Sequence, residues 1–218
     1  MEILELMKSR HSVRQYLDKP IESEKKEILN GYAERLNRRY GTNVKIFFDD
    51  ADGFKKAEAP YGLFSGCKNY IALIGKNAET CGYVGELLCL RAQEMGLNTC
   101  FVALTYKKSS VKKKIKLSKG EKLQCSVALG YGKTQGANRK SKTPEQVLVL
   151  KGERPELLDE VLEACLLAPT AINQQKFKVV CEDGKIEVVK SGFGFYADVD
   201  LGIVKCHKDL IEGTVALK

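Results

Sequence analysis

Apolar positions recur with a helical period in three stretches of the chain. Ile28, Leu29, Tyr32, Ala33 and Leu36 share one face, opening near Ser23 and stopping at Gly41. Val84, Leu87, Leu88, Ala92 and Met95 share a second, with Gly96 as its C-terminal stop, and Leu158, Val161, Leu162, Cys165 and Leu166 share a third, ended by Pro169. Spacings of three and four residues place each set on one side of a helix, and glycine or proline just beyond marks its end. A shorter amphipathic start (Ile3, Leu4, Leu6, Met7) predicts a first helix that stops near Arg10, and Ile203, Val204, Leu210 and Ile211 predict a last one. Apolar-rich runs at 44–48, 70–75, 99–103 and 126–131 predict strands, and 177–189 predicts a hairpin turning at Asp183-Gly184. Local hairpins mixed with helices imply an α+β domain rather than a doubly wound sheet.

The pattern also echoes itself. A helix followed by a strand over 28–48 recurs over 157–181, and Tyr83-Val84-Gly85-Glu86-Leu87-Leu88 is echoed by Asp198-Val199-Asp200-Leu201-Gly202-Ile203. Near the join lies Thr143-Pro144-Glu145-Gln146, a capping-box signal with proline at the first helical position. Two unequal halves are expected, 1–150 and 151–218.

Length and composition narrow the classes. A chain of 218 residues with 44% hydrophobic and 29% charged residues can bury a sizeable core. No run approaches 18 consecutive apolar residues, and Glu2 and Glu5 stand where a secretory signal carries basic residues, so a cytoplasmic protein is expected. The eight cysteines, at 67, 81, 89, 100, 125, 165, 181 and 206, form no C-x-x-C pair. Several sit inside apolar runs, so small buried hydrophobes are expected rather than metal ligands or disulfides. The net charge of +8 is concentrated: eight lysines and one glutamate lie between Lys107 and Lys122. Such a run attracts anionic surfaces and nucleic acid. Val111 and Ile115, four apart, instead suit a short surface helix with a solvated lysine face, and no aromatic residues interleave to stack bases.

Four segments carry candidate chemistry. Arg10-His11-Ser12-Val13-Arg14-Gln15-Tyr16 sets two guanidinium groups, an imidazole and a hydroxyl together where the first helix stops. Guanidinium forks match phosphate oxygens, so this cluster suits a small phosphate monoester. In Ala168-Pro169-Thr170-Ala171-Ile172-Asn173-Gln174-Gln175 proline ends a helix and two amides are offered on a turn. Leu129-Gly130-Tyr131 leads into a basic loop with Arg139 and Lys140, and Gly96-Leu97-Asn98-Thr99 leads into a strand ending at Ala103-Leu104. His207 on the last helix reads as structural, and Asp198 and Asp200 as capping charges at its start. No paired acid and base stands out.

Together these segments resemble the FMN-dependent nitroreductase family. The first matches its Arg-His-Ser-x-Arg-x-aromatic opening and the second its Ala-Pro-Ser-x-x-Asn-x-Gln-Pro segment, with Thr170 for serine and Lys176 where the family has proline. The second segment commonly follows the first helices, whereas here it comes after residue 167, an arrangement similar to a divergent branch of the family. The resemblance implies a central, mainly antiparallel sheet flanked by helices. It implies FMN held by Arg10, His11, Ser12, Arg14, Ala103, Leu104, Arg139, Lys140, Pro169, Thr170, Ala171, Asn173 and Gln174, with no metal. It also implies hydride passing from NADH or NADPH through flavin N5 to a nitroaromatic, quinone or similar acceptor. Assembly is expected as either a single-chain pseudo-dimer, with 151–218 covering the flavin, or a homodimer. Two other readings stand beside this one: an anionic-surface binder using the lysine run, and an FMN-binding protein without turnover.

Overall fold

The computed structural model describes residues 2–54 and 64–217. Helix α1 (Ile3–Ser9) leads to the long α2 (Ser23–Tyr40), which ends where Gly41 takes a left-handed conformation and returns its N–H to the Asn37 carbonyl. Strands β1 (Lys45–Phe47) and β2 (Asn69–Gly75) follow, then α3 (Ala78–Glu94), β3 (Asn98–Val102), α4 (Lys108–Lys114) and β4 (Lys122–Gly130). A single turn α5 (Pro144–Val147), β5 (Leu148–Lys151), α6 (Leu158–Leu167), the hairpin β6 (Phe177–Glu182) and β7 (Lys185–Lys190), and α7 (Ala197–Ile211) complete the chain.

The expected antiparallel sheet is present, in the order β1-β2-β4-β3. Of its two inner strands, β2 is buried on both faces. Ile71 and Leu73 point into a main core with α1, α2, α3, α6 and α7, while Tyr70, Ala72 and Ile74 join a smaller core with Phe54, Tyr106 and Val111. A second sheet stands beside it, β5-β6-β7, in which β5 runs parallel to β6 and β6 antiparallel to β7. The hairpin turns at Asp183-Gly184, both at positive φ. All eight cysteines are buried and unpaired. In the lysine run, Val111 of α4 is buried and Lys114 pairs with Asp50 at 2.6 Å. Among the described residues no helix is long and apolar enough to cross a membrane.

Two elements differ from the pattern-based expectation. Strand β4 begins at Lys122, because Leu123 and Cys125 point inward while Lys122 is exposed, an alternation hidden inside the lysine run. Strand β5 has no strong pattern of its own: it is four residues long, half exposed, and exists through pairing with β6.

The most extensive helix contact is between α3 and α7. Both are buried around most of their circumference, and they meet backbone to backbone. A Cβ at Gly82 would land on the carbonyl oxygen of Val199, and one at Gly202 on that of Glu79. Val199 stands three residues before Gly202 and Glu79 three before Gly82. The contact is therefore reciprocal, as in an interface with two-fold symmetry. It equates Gly82 with Gly202, a different register from the sequence echo of Tyr83 with Asp198.

This crossing sets opposite expectations for three alanine substitutions. Gly31 of α2 has nothing within 4 Å of a Cβ, so Gly31→Ala should stabilise by about 0.5–1 kcal/mol through helix propensity alone. Gly82→Ala and Gly202→Ala gain the same propensity but force the helices apart, and each should destabilise by roughly 1–3 kcal/mol. Urea unfolding of the three variants checks this; a stable Gly82→Ala would mean that the helices do not touch.

Candidate active site

Backbone hydrogen bonds gather three of the four candidate segments. Leaving α1, residues 11–16 run extended beside the start of β3: Ser12 bridges Thr99, and the Val13 N–H donates to the Thr99 carbonyl at 3.1 Å. Tyr16 bridges Gly132, and the Lys133 N–H donates to the Gln15 carbonyl at 2.9 Å. Asn98 ties the same corner, accepting from the Gly132 N–H at 2.9 Å and donating to Gln135 at 3.0 Å. Gly136 passes so close to His11 that a Cβ there would meet the histidine's Cβ at 2.5 Å.

Side chains bring in the fourth segment. Arg139 Nη2 donates to the carbonyls of Leu166 and Ala168 at 3.0 and 2.7 Å, so the guanidinium closes the C-terminus of α6. Asn173 donates to the Lys140 carbonyl at 2.6 Å, while the Lys140 side chain stays exposed. Gln175, missed by the sequence reading as a functional residue, is buried: it accepts from the Lys142 N–H at 2.8 Å and donates to Ser141 at 2.8 Å. Thr170 accepts from the Gln175 N–H at 3.1 Å, and Pro169 is buried. Residues 172, 173 and 175 all lie at positive φ without being glycine. A turn held that far from relaxed geometry persists only because its surroundings fix it.

What fixes it from below is Asp200, in the first turn of α7. Its carboxylate accepts from the Ala171 N–H at 2.9 and 3.1 Å and from Gln174 Nε2 at 2.7 Å. The position of Asp200 at a helix start predicts a capping charge, but its side chain turns onto the 169–175 loop instead. Those three hydrogen bonds and the helix N-terminus favour the charged form. Burial outweighs them and pushes the carboxyl pKa up to about 6.

The cationic groups lie close together. Burial lowers the Arg139 pKa to about 10, with Arg10 adding repulsion, and His11 is lowered by burial and then by Arg10 and Arg139. Arg10 is 2% exposed, and its Nε and Nη2 have no hydrogen-bond partner; nor does the buried Nε of Arg139. A buried donor without an acceptor costs about 1–3 kcal/mol. Three such donors, on two guanidinium groups close enough to repel each other, suit an oxyanion such as a phosphate monoester. Arg14 is exposed and has no ion pair among the described residues. Ala103 packs on the main core and Leu104 is 74% exposed, and no hydrogen bond among the described residues ties either to the cluster.

An antiparallel sheet flanked by helices, with buried unbonded guanidinium donors between the end of α1 and a loop after a later helix, is the arrangement of the nitroreductase fold. The chain belongs to the family described as "Putative TM nitroreductase", which matches residues 2–211. It is similar in structure to a putative nitroreductase from Thermotoga maritima, with a TM-score of 0.63 and 20% identity over 97% of this chain and 83% of that one. A nitroreductase family protein from Streptococcus pneumoniae aligns with a TM-score of 0.54 and 14% identity over 69% of this chain and 99% of that one. A putative NADH dehydrogenase/NAD(P)H nitroreductase from Bacteroides thetaiotaomicron aligns with a TM-score of 0.53 and 21% identity, over 66% of this chain and 95% of that one. These likenesses are to the fold. No curated protein matches the chain.

The raised pKa of Asp200 has a definite sign in stability. The folded state holds the Asp200 proton more tightly than the unfolded chain, so this contribution is complete below about pH 4 and is lost as pH rises through about 6. The loss is on the order of 2–3 kcal/mol. Asp200→Asn, which cannot ionise, should remove that step from a plot of unfolding free energy against pH. If wild type and variant ran parallel from pH 4 to 7, the carboxylate would have an ordinary pKa.

Proposed function

We propose that this chain is an FMN-dependent oxidoreductase that takes hydride from NADH or NADPH and passes it to an electron-poor acceptor such as a nitroaromatic or quinone. The observation that carries the reading is the set of buried, unbonded donors on Arg10 and Arg139, beside His11 and within one hydrogen-bonded cluster with the 169–175 loop. Bound FMN would supply the redox chemistry at N5, which is why no acid–base pair is needed in the protein. The protein's part is to bind, orient and exclude water.

In this reading Arg10 and Arg139 hold the phosphate, with His11, Ser12, Arg14 and Lys140 around it. The turn of Pro169, Thr170, Ala171, Asn173 and Gln174 would cover the ring system, and Ala103 and Leu104, just past the end of β3, would face it from the first half. Asn173 Oδ1 is buried without a partner, which leaves an acceptor for a ring or ribityl donor. Asp200 and Gln175 keep the turn in its strained shape.

The same reading makes the chain a pseudo-dimer, with 1–150 carrying the phosphate corner and 151–218 taking the part of a partner subunit. The reciprocal α3–α7 crossing supports this. So does the fate of the matching turn after α2, where Thr42 and Val44 are spent on Asn37 and Asn43 donates to Glu121. One complete cluster per chain follows.

Two measurements test these statements. Light scattering on the flavin-loaded protein should give a mass near 24.3 kDa with one FMN. An obligate dimer whose two flavins are each lined by the opposite chain's Asn173 would overturn the single-chain reading. By NMR, the His11 midpoint, held below its ordinary value by burial and the two guanidinium groups, should rise when FMN is added. A phosphate brought among these cations offsets their repulsion of the imidazolium. An unmoved midpoint would place the phosphate elsewhere.

A further inference from the structure

A buried polar chain crosses the α3–α7 contact. His207 on α7 sets Nδ1 2.8 Å from the Ala164 carbonyl on α6 and Nε2 2.8 Å from Glu86 Oε1 on α3. The carbonyl and a carboxylate both only accept, so each contact calls for a ring N–H. Arg10, at the end of α1, places its Nε 3.6 Å from the same Glu86 oxygen, and all three side chains are 0–1% exposed.

That 3.6 Å separation gives the chain its meaning. A guanidinium this deeply buried needs a compensating charge, and a carboxylate free to move would settle against it in a bidentate pair. Here His207 engages the carboxylate at hydrogen-bond distance, and Arg10 stays in ion-pair range but beyond a normal hydrogen bond. Arg10 thereby shares the Glu86 carboxylate with His207 while its Nε and Nη2 remain unbonded. Because His207 is anchored to Ala164, the position of Arg10 is also tied to α6, the helix that leads into the 169–175 loop.

We propose that Glu86 and His207 are positioning residues for the anion anchor: His207 fixes the Glu86 carboxylate, which balances Arg10 without consuming the donors that Arg10 offers to the FMN phosphate. This rests on the FMN reading above. It separates phosphate recognition from recognition of the ring, and riboflavin, which lacks the phosphate, reports the second alone.

The test is to titrate wild type, Glu86→Gln, His207→Gln, Arg10→Lys and the Arg10→Lys/Glu86→Gln double variant with FMN and with riboflavin, following flavin fluorescence. Each single variant should weaken FMN roughly tenfold or more, the range of one charge-assisted hydrogen bond, and leave riboflavin affinity within about twofold. The double variant should bind FMN no more weakly than Arg10→Lys, since Glu86 acts through Arg10. Equal losses for both flavins, or full additivity in the double variant, would show a general structural role and overturn the proposal while leaving the FMN reading intact. If Glu86→Gln does not fold, His207→Gln, which keeps the carboxylate, is read the same way, and failure of both to fold also overturns it. A wild type that binds neither flavin removes the FMN reading itself.

Discussion

Gly82 and Gly202 let α3 and α7 touch along their backbones, and the distances across the site follow from that contact. With the helices this close, side chains on one reach groups on the other: Glu86 meets His207, Tyr83 bonds Asp209 at 2.9 Å, and Lys205 reaches Glu79 at 2.6 Å. The start of α7 is fixed in the same way, and Asp200 there holds the turn that follows α6. Separating the axes by the width of a methyl group would loosen all of these together, because buried polar contacts fall off steeply with distance and angle. The packing of two glycines thus governs the geometry of charged groups many residues away.

What the sequence makes legible is whatever repeats or stops. The faces of α2, α3 and α6, the hairpin at Asp183-Gly184 and four strands of the first sheet follow from period and from glycine or proline. Strand β5 does not, because a short edge strand draws its order from its neighbour rather than from its own residues. Within the site, Arg139 lies close enough to Arg10 to feel its charge and Asn173 bonds the Lys140 carbonyl, so candidates picked by residue type from separate segments lie in one cluster. Glu86 and Asp200 share one reason for being hard to read: each is a buried charge among apolar neighbours on its helix, and period alone cannot say what lies opposite. The one available signal was Glu86 itself, a carboxylate on a helix apolar around most of its circumference.

The buried charges explain why the network needs so many members. A guanidinium, a carboxylate and an imidazole removed from water are costly singly, and a well-packed apolar trio would often be more stable. Their retention makes sense where one of them must keep donors open for a ligand. Arg139 follows the same logic from the other side, with Nη2 spent on the end of α6 and Nε left unbonded. Arg139 is held by one part of its fork and open at another, while Arg10 is held by charge alone.

The two-fold relation of α3 and α7 shows what a single chain permits that a symmetric dimer does not. Glu86 lies four residues after Gly82, and the matching place on α7 is Cys206; His207 lies five after Gly202, and the matching place on α3 is Leu87. Cys206 and Leu87 are both fully buried. The Glu86–His207 bond therefore occurs on one side of the crossing only, and the other side is apolar packing. In a symmetric dimer the bond would appear twice, with its desolvation cost doubled and a second anion corner sharing the core. Placing both helices in one chain lets each take a different residue at every equivalent position. The polar side then lies where Arg10 needs it, and the apolar side supplies the burial that keeps the helices together.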